Sequence, residues 1–393
     1  MQYGAAIRAE WSLDPDFLTL NHGSYGATPR AVRAAQDQWR ARLEAQPSRF
    51  FRETYPAAVR HAAGALAAFL GADADDLVFV ENATTGCNAV LRSLRFQPGD
   101  EILVLAHVYG AVRNTIRHVC ERTGATLAEA AIPFPRPLPD AITEAVAAAI
   151  TPRTRLAVID HITSASALVL PIADIVRACR TSGVPVLVDG AHGPGHVDLD
   201  LTALDADWYT GNCHKWLNAA KGCAFLWARR DRQPDLHPVT ISHGYGQGFL
   251  AEFDWTGTFD PSAYLSVTAA LDFHARLGGP ALRARNAALA FEATNLVAAR
   301  IGAETGGGNQ VSGAMGLVRL PGITDAAAIR ARLLALGTDT PVSLIDGTAW
   351  LRLSAQAYNE IADYERLAVL VQQALDQRLM RCGGIAKKSE SRD

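Results

Sequence analysis

The chain has 393 residues, 49% hydrophobic and 20% charged, with a formal net charge of -3, which is enough to bury a sizeable core and fits one large domain plus a smaller one. Lys and Arg are nowhere concentrated, which excludes a nucleic-acid footprint and a polybasic membrane patch and leaves a small-molecule partner. The scattered cysteines (Cys87, Cys120, Cys179, Cys213, Cys223 and Cys382) form no CxxC pair, against a disulfide framework or zinc knuckle; with no apolar signal core and no bilayer-length run, a cytoplasmic protein is expected.

Residues 1–14 read as an N-terminal arm. From 15 to 276, apolar runs of strand length alternate with Ala- and Arg-rich segments of helical period: LVFV (77–80), EILVLA (101–106), RLAVID (155–160) and VPVLVD (184–189). That alternation predicts an α/β domain with a mostly parallel, doubly covered sheet. DWYTG (207–211) and CAFLWA (223–228) extend it, and the short link between them predicts an antiparallel pair. After Leu-Gly-Gly-Pro at 277–280 come a long helix, a Gly-rich stretch at 306–308, strand MGLVRL (315–320), a helix from Asp325, strand TAWLRLS (348–354) and a last helix from Asn359. Residues 277–380 are therefore expected to form a small α+β domain, and 381–393 a frayed polar tail.

In an open α/β sheet, ligands bind beyond the carboxyl ends of the strands, and the chemistry-bearing residues of this chain cluster there. LVFV runs into Glu81-Asn82-Ala83-Thr84-Thr85-Gly86, ahead of an amphipathic helix near 86–95. Small residues and hydroxyls at that helix start suit a phosphate, although ordinary N-capping accounts for Thr84 or Thr85 equally well. EILVLA leads to Tyr109, a ring able to stack on a flat ligand or simply to pack. VPVLVD ends in Asp189 before Gly190-Ala191-His192. An acid at that place either caps the next segment or pairs with a protonated pyridine nitrogen.

DWYTG opens into Asn212-Cys213-His214-Lys215-Trp216, and Lys is scarce: it occurs only at 215, 221, 387 and 388. In a chain that carries its surface charge on Arg, a Lys at a strand end points to a task only a primary amine performs. Desolvation lowers such an amine's pKa and makes it a nucleophile and a base. An amine, a ring acid and a phosphate seat together are what pyridoxal 5′-phosphate (PLP) requires to act as an electron sink. In the second domain WLRLS carries Arg352, either solvent-facing or a fork for a substrate carboxylate.

These segments resemble the class V aminotransferase-fold PLP enzymes, in particular the isopenicillin N epimerase-like branch. The resemblance runs in order through LNHGSYGATP (20–29), ENATTG, HVYGAVRNT, DHITSASALVLPI, VDGAHGPG, GNCHKW, WTGTFDPSAY and WLRLSAQAYN. It implies the type I fold and PLP bound covalently to Lys215, with Asp189 on the ring nitrogen and His192 beside the ring. It further implies Ala83, Thr84, Thr85, Asn212 and His214 at the phosphate, Tyr109 stacked on the ring, and Thr163 at the phenolic oxygen. Arg352 would take the substrate carboxylate, and Asn21, His22 and Gly23 would line the substrate side. The Gly257-Thr258 loop resembles one donated to a neighbouring subunit's phosphate, so the resemblance also implies a homodimer with shared sites.

Two departures limit the transfer. Phe259 stands where many relatives have Arg, and residues 300–350 contain no Cys, against a persulfide-forming desulfurase. The expected activity is proton abstraction from the Cα of an amino acid, with Lys215, Asp189 and Tyr109 as the catalytic set. The epimerase-like pattern favours reprotonation on the opposite face, while C–S lyases of the same branch expel a β-substituent and transamination is a third exit. A reading of another class, a metal-dependent hydrolase on Asp189, His192, His196 and His214, is disfavoured: Gly and Pro between His192 and His196 deny the helical face that joins such a pair on one ion. No metal site is expected.

Overall fold

The computed structural model describes residues 2–308 and 311–386. Its strands, in chain order, are β1 (Leu18–Thr19), β2 (Leu77–Val80), β3 (Glu101–Leu105), β4 (Thr126–Ala130), β5 (Thr154–Asp160), β6 (Val186–Asp189) and β7 (Trp208–Asn212). There follow β8 (Ala224–Ala228), β9 (Thr305–Gly306), β10 (Met315–Leu320), β11 (Thr338–Asp339), β12 (Val342–Ile345) and β13 (Thr348–Ser354).

The main sheet has the order β2-β8-β7-β6-β5-β3-β4. β8 is antiparallel to both of its neighbours and every other pair is parallel. Its central strands are buried residue by residue because helices cover both faces, which is why they read as unbroken apolar runs. The antiparallel β7–β8 pair expected from the short link is present. β4 escaped the sequence reading: TLAEA carries one large apolar residue, Leu127, and lies at the sheet edge, where it pairs with β3.

The second sheet, β12-β13-β10-β9, is antiparallel and packs against helix Pro280–Arg300, on which helix Ile361–Ala386 packs in turn. β10 and β13 fall on the residues expected of MGLVRL and TAWLRLS. The last helix continues to Ala386, through the first residues of the tail expected at 381–393; residues 387–393 lie outside the described residues. β1 pairs in parallel with β11, and Leu18 and Leu20 sit in the core of this second unit. The early chain therefore crosses to the C-terminal half before entering the main sheet. No helix among the described residues is long and apolar enough to cross a membrane.

Two features aim the strand ends at one point. β5 and β6 end side by side, with Asp160 in register with Asp189 and Asp189 with Thr210 of β7. Helix Ala83–Ser93 lies hard against β7: a Cβ on Gly86 would stand 2.2 Å from Thr210 Oγ1. Only glycine permits that approach, which carries the helix N-terminus to the carboxyl edge of the sheet.

Candidate active site

The strand ends surround a cavity of about 410 Å3 bordered by Thr84, Tyr109, Asp160, Asp189, His192 and Lys215, among others. Lys215 Nζ lies 3.2 Å from His192 Nε2, and Trp216 Nε1 donates to His192 Nδ1 at 3.2 Å. A neutral imidazole whose Nδ1 accepts carries its proton on Nε2. Lys215 can accept that hydrogen bond only in its unprotonated form. Burial, reinforced by the positive charge of Arg352, brings the Lys215 ammonium down to about 8 against the pull of Asp189 and Asp160. Burial likewise keeps His192 neutral, with Lys215 the next cause.

Asp189 Oδ1 accepts the backbone N–H of Ala191 at 3.0 Å. Burial raises this carboxyl, while that N–H and Lys215 draw it back down. Also in the cavity wall, Asn82 caps helix Ala83–Ser93 by accepting from Thr85 N at 2.9 Å, and Asn212 Oδ1 accepts from Ala83 N at 2.8 Å. The helix thus begins three residues before the expected 86, and its cap is Asn82, not a threonine. Thr84 borders the cavity, whereas the Thr85 amide and hydroxyl are directed to Asn82. His214 borders it too; with Nδ1 at 3.1 Å from the Cys223 carbonyl, its Nδ1 is the donor and Nε2 is left as an acceptor.

A second cavity of about 310 Å3 adjoins the first, sharing Ser24, Tyr25, Tyr109, Ser164 and Lys215 and adding Arg330 and Arg352. Arg352, 3% exposed, donates to the Ser164 carbonyl at 2.5 Å, to Ser24 Oγ at 2.9 Å and to Asn21 Oδ1 at 3.2 Å. Its Nε is buried without a partner, and burial lowers its pKa to about 10. Arg330, by contrast, is held on both Asp339 oxygens at 2.8 and 2.9 Å. Among the described residues, no carboxylate pairs with the buried guanidinium of Arg352, a place that a substrate carboxylate would complete.

Not every expected residue reaches a cavity wall. Asn21 stands behind Arg352, His22 lies 3.0 Å from the Lys215 carbonyl, and Gly23 N donates to Ser354 Oγ; Ser24 and Tyr25 form the wall instead. Thr163 is fully buried, its hydroxyl bonded to Ser166 and to Leu168 N. Thr258 is exposed and borders neither cavity. Of the histidines considered for a metal, His196 directs Nε2 to the Ala314 N–H, and among the described residues no three His, Cys, Asp or Glu converge on a point. Asp160, Asn82 and Arg330 are the residues that sequence reasoning passed over. Asp160 could have been found by the logic that found Asp189, since RLAVID ends in an acid just as VPVLVD does.

The residues fit PLP on three observations: a buried amine and a strand-end acid bordering one cavity, a helix start with Thr84 in its wall, and, in the adjoining cavity, a buried arginine with no carboxylate partner among the described residues. A doubly covered parallel sheet with this amine and acid at its carboxyl edge defines the class of PLP enzymes of fold type I. The aminotransferase class-V family model matches residues 27–317. Similar proteins include a probable chloroplastic L-cysteine desulfhydrase of Arabidopsis thaliana, 33% identical over 92% of this chain and 84% of that protein. Isopenicillin N epimerase of Streptomyces clavuligerus is 34% identical over 92% of this chain and 96% of its own. Among solved structures, the cystine C–S lyase C-DES in complex with cysteine persulfide superposes with a TM-score of 0.80 at 21% identity, covering 91% of this chain and 97% of that one. A variant of C-DES with glycine covalently linked to its PLP cofactor gives 0.78 at 21% identity over 91% and 96%. The chain belongs to the class V aminotransferase family. It is a PLP-dependent enzyme.

Proposed function

We propose that Lys215 removes the Cα proton of an α-amino acid whose carboxylate is held by Arg352. The observation that carries this is the junction of the two cavities at Lys215: an amine whose ammonium form is disfavoured on one side and, on the other, a buried arginine with no carboxylate partner among the described residues. When bound, PLP supplies a cationic ring that draws electrons from the substrate Cα. Asp189 would meet the ring nitrogen and keep its proton in place, Tyr109 would cover the ring, and Thr84 and Asn212 would hold the phosphate, with His214 joining them once its Nε2 carries a proton. His192, locked by Trp216, keeps the Lys215 amine oriented. Arg352 fixes the Cα–H bond against Lys215 by gripping the carboxylate from a scaffold of Ser24, Asn21 and Ser164.

The first exit is return of a proton to the opposite face of Cα, the epimerisation suggested by similarity to isopenicillin N epimerase. The second is expulsion of a β-thiol, for which Arg330 and His107 in the outer cavity offer donors to a departing sulfur; similarity to L-cysteine desulfhydrases supports it equally. Thr258, exposed on its own chain, is available to a second copy, and a homodimer with shared sites belongs to this reading.

The test is a panel of L-amino acids, cysteine included, incubated with holoenzyme in heavy water. NMR would follow Cα exchange and the D-enantiomer, and separate assays would follow sulfide and pyruvate. D-product assigns the first exit; sulfide and pyruvate assign the second. Lys215→Ala should lose the visible band that borohydride removes and slow Cα exchange on the order of a thousandfold. Exchange at wild-type rates in that variant would sink the proposal.

A further inference from the structure

Asp160 has no part in the reading above, yet it shares the floor of the cavity with Asp189. The two residues end adjacent parallel strands in register, so their side chains leave the same face of the sheet, and they are only 2% and 3% exposed. The backbone N–H of Tyr109 acts to lower the Asp160 carboxyl, against the larger effect of burial. Asp160 borders the cavity, and its buried Oδ2 has no hydrogen-bond partner among the described residues.

The ionisable neighbours of Asp160 come from every element around it. Asp189 is on β6, Cys87 on helix Ala83–Ser93, Arg113 on helix Gly110–Thr123, and Lys215 stands across the cavity. Arg113 is engaged with Glu129, and burial drives the Cys87 thiol up, so it stays protonated. Two buried carboxylates at neighbouring strand ends cannot both carry charge at low cost. Their surroundings are unequal: Asp189 has the Ala191 N–H and the attraction of Lys215, whereas burial and then the Asp189 charge push Asp160 well above the usual carboxylate range.

We propose that Asp160 is a neutral carboxylic acid whose Oδ2 presents an O–H donor to the bound cofactor, leaving Asp189 as the single negative charge on the cavity floor. The proposal rests on the reading of Asp189 as the partner of the ring nitrogen. The group it fits is a hydrogen-bond acceptor on the ring, and the phenolic oxygen is the one PLP carries. Thr163, the residue implied for that oxygen, is committed to Ser166 and Leu168. A carboxyl kept neutral by its surroundings is an established kind of donor.

Infrared spectra of the apo protein provide the first test, without cofactor or activity. Wild type should show the C=O stretch of a buried carboxylic acid, absent in Asp160→Asn and retained in Asp189→Asn. No such band in wild type, or a band that survives in Asp160→Asn, overturns the proposal. Equilibrium binding of PLP to the apo protein provides the second. Asp160→Asn, which keeps an N–H donor, should bind within about twofold of wild type, and Asp160→Leu should bind on the order of tenfold more weakly, the effect of one hydrogen bond lost. Near-UV circular dichroism checks that each variant is folded, and a folded Asp160→Leu that binds PLP as wild type does overturns the donor role. Asp189→Asn with an unchanged ring spectrum would instead defeat the reading of Asp189, and the infrared result on Asp160 would stand by itself.

Discussion

At the scale of single residues, the reactivity of Lys215 follows from three neighbours. Trp216 fixes the tautomer of His192, His192 directs its N–H at the amine, and burial with the Arg352 charge disfavours the ammonium form. The amine is free above about 8 and protonated below, so PLP uptake by the apo protein should accelerate as pH rises through about 8 and level off above it. Arg352→Met removes a cation that disfavours the ammonium, and the midpoint should move upward. Stopped-flow absorption against pH measures both, and a midpoint at the ordinary lysine value in wild type would contradict the geometry. Scarcity of lysine made residue 215 legible from sequence. Its partner His192 was legible only as a neighbour of the ring, because residues 23 positions apart along the chain meet through the packing of two strand-end loops.

At the scale of elements, the site depends on how closely helix Ala83–Ser93 approaches β7. Gly86 faces Thr210, and an added Cβ would overlap its hydroxyl. Gly86→Ala should therefore cost about 1–3 kcal/mol of stability, as overpacking does, and weaken PLP retention because the helix start moves off the phosphate end of the cavity. Urea denaturation and a spin-column assay of retained cofactor test the two effects, and an unchanged midpoint would show that the helix has room to retreat. The central strands were legible because a sheet covered on both faces requires continuous apolar runs. β4 was not, since an edge strand with one large apolar side chain has no such requirement. The acid that ends β5 lay in plain view in the sequence; what marks it as unusual is its register with Asp189, a property of strand pairing and not of spacing.

At the scale of the molecule, the early chain ties the two halves together. Tyr3 donates to the Leu277 carbonyl, Arg8 holds both oxygens of Asp363 at 3.0 Å, and the Leu20 carbonyl accepts from Ser354 N at the end of β13. Leu20 is fully buried in the second core, so Leu20→Ala should cost about 2–5 kcal/mol, measured by chemical denaturation. A loss within experimental error would mean that the strap is dispensable. Arg352 stands where these halves meet: it comes from β13, and its three supports come from Asn21, Ser24 and Ser164.

By itself the sequence determined the α/β class, the order of the central strands along the chain, the amine and acid at their carboxyl ends, and the family to which both belong. Those properties are local, each set by a run of apolar residues and the few residues that follow it. Only the tertiary structure decided which wall each side chain faces. Ser24 and Tyr25 line the cavities where Asn21 to Gly23 were expected, Thr163 is spent on its own loop, and Arg352 has no anion among the described residues. Such facts arise where segments far apart in the chain converge, and they depend on burial and on which hydrogen-bonding partners remain unclaimed once the chain is packed.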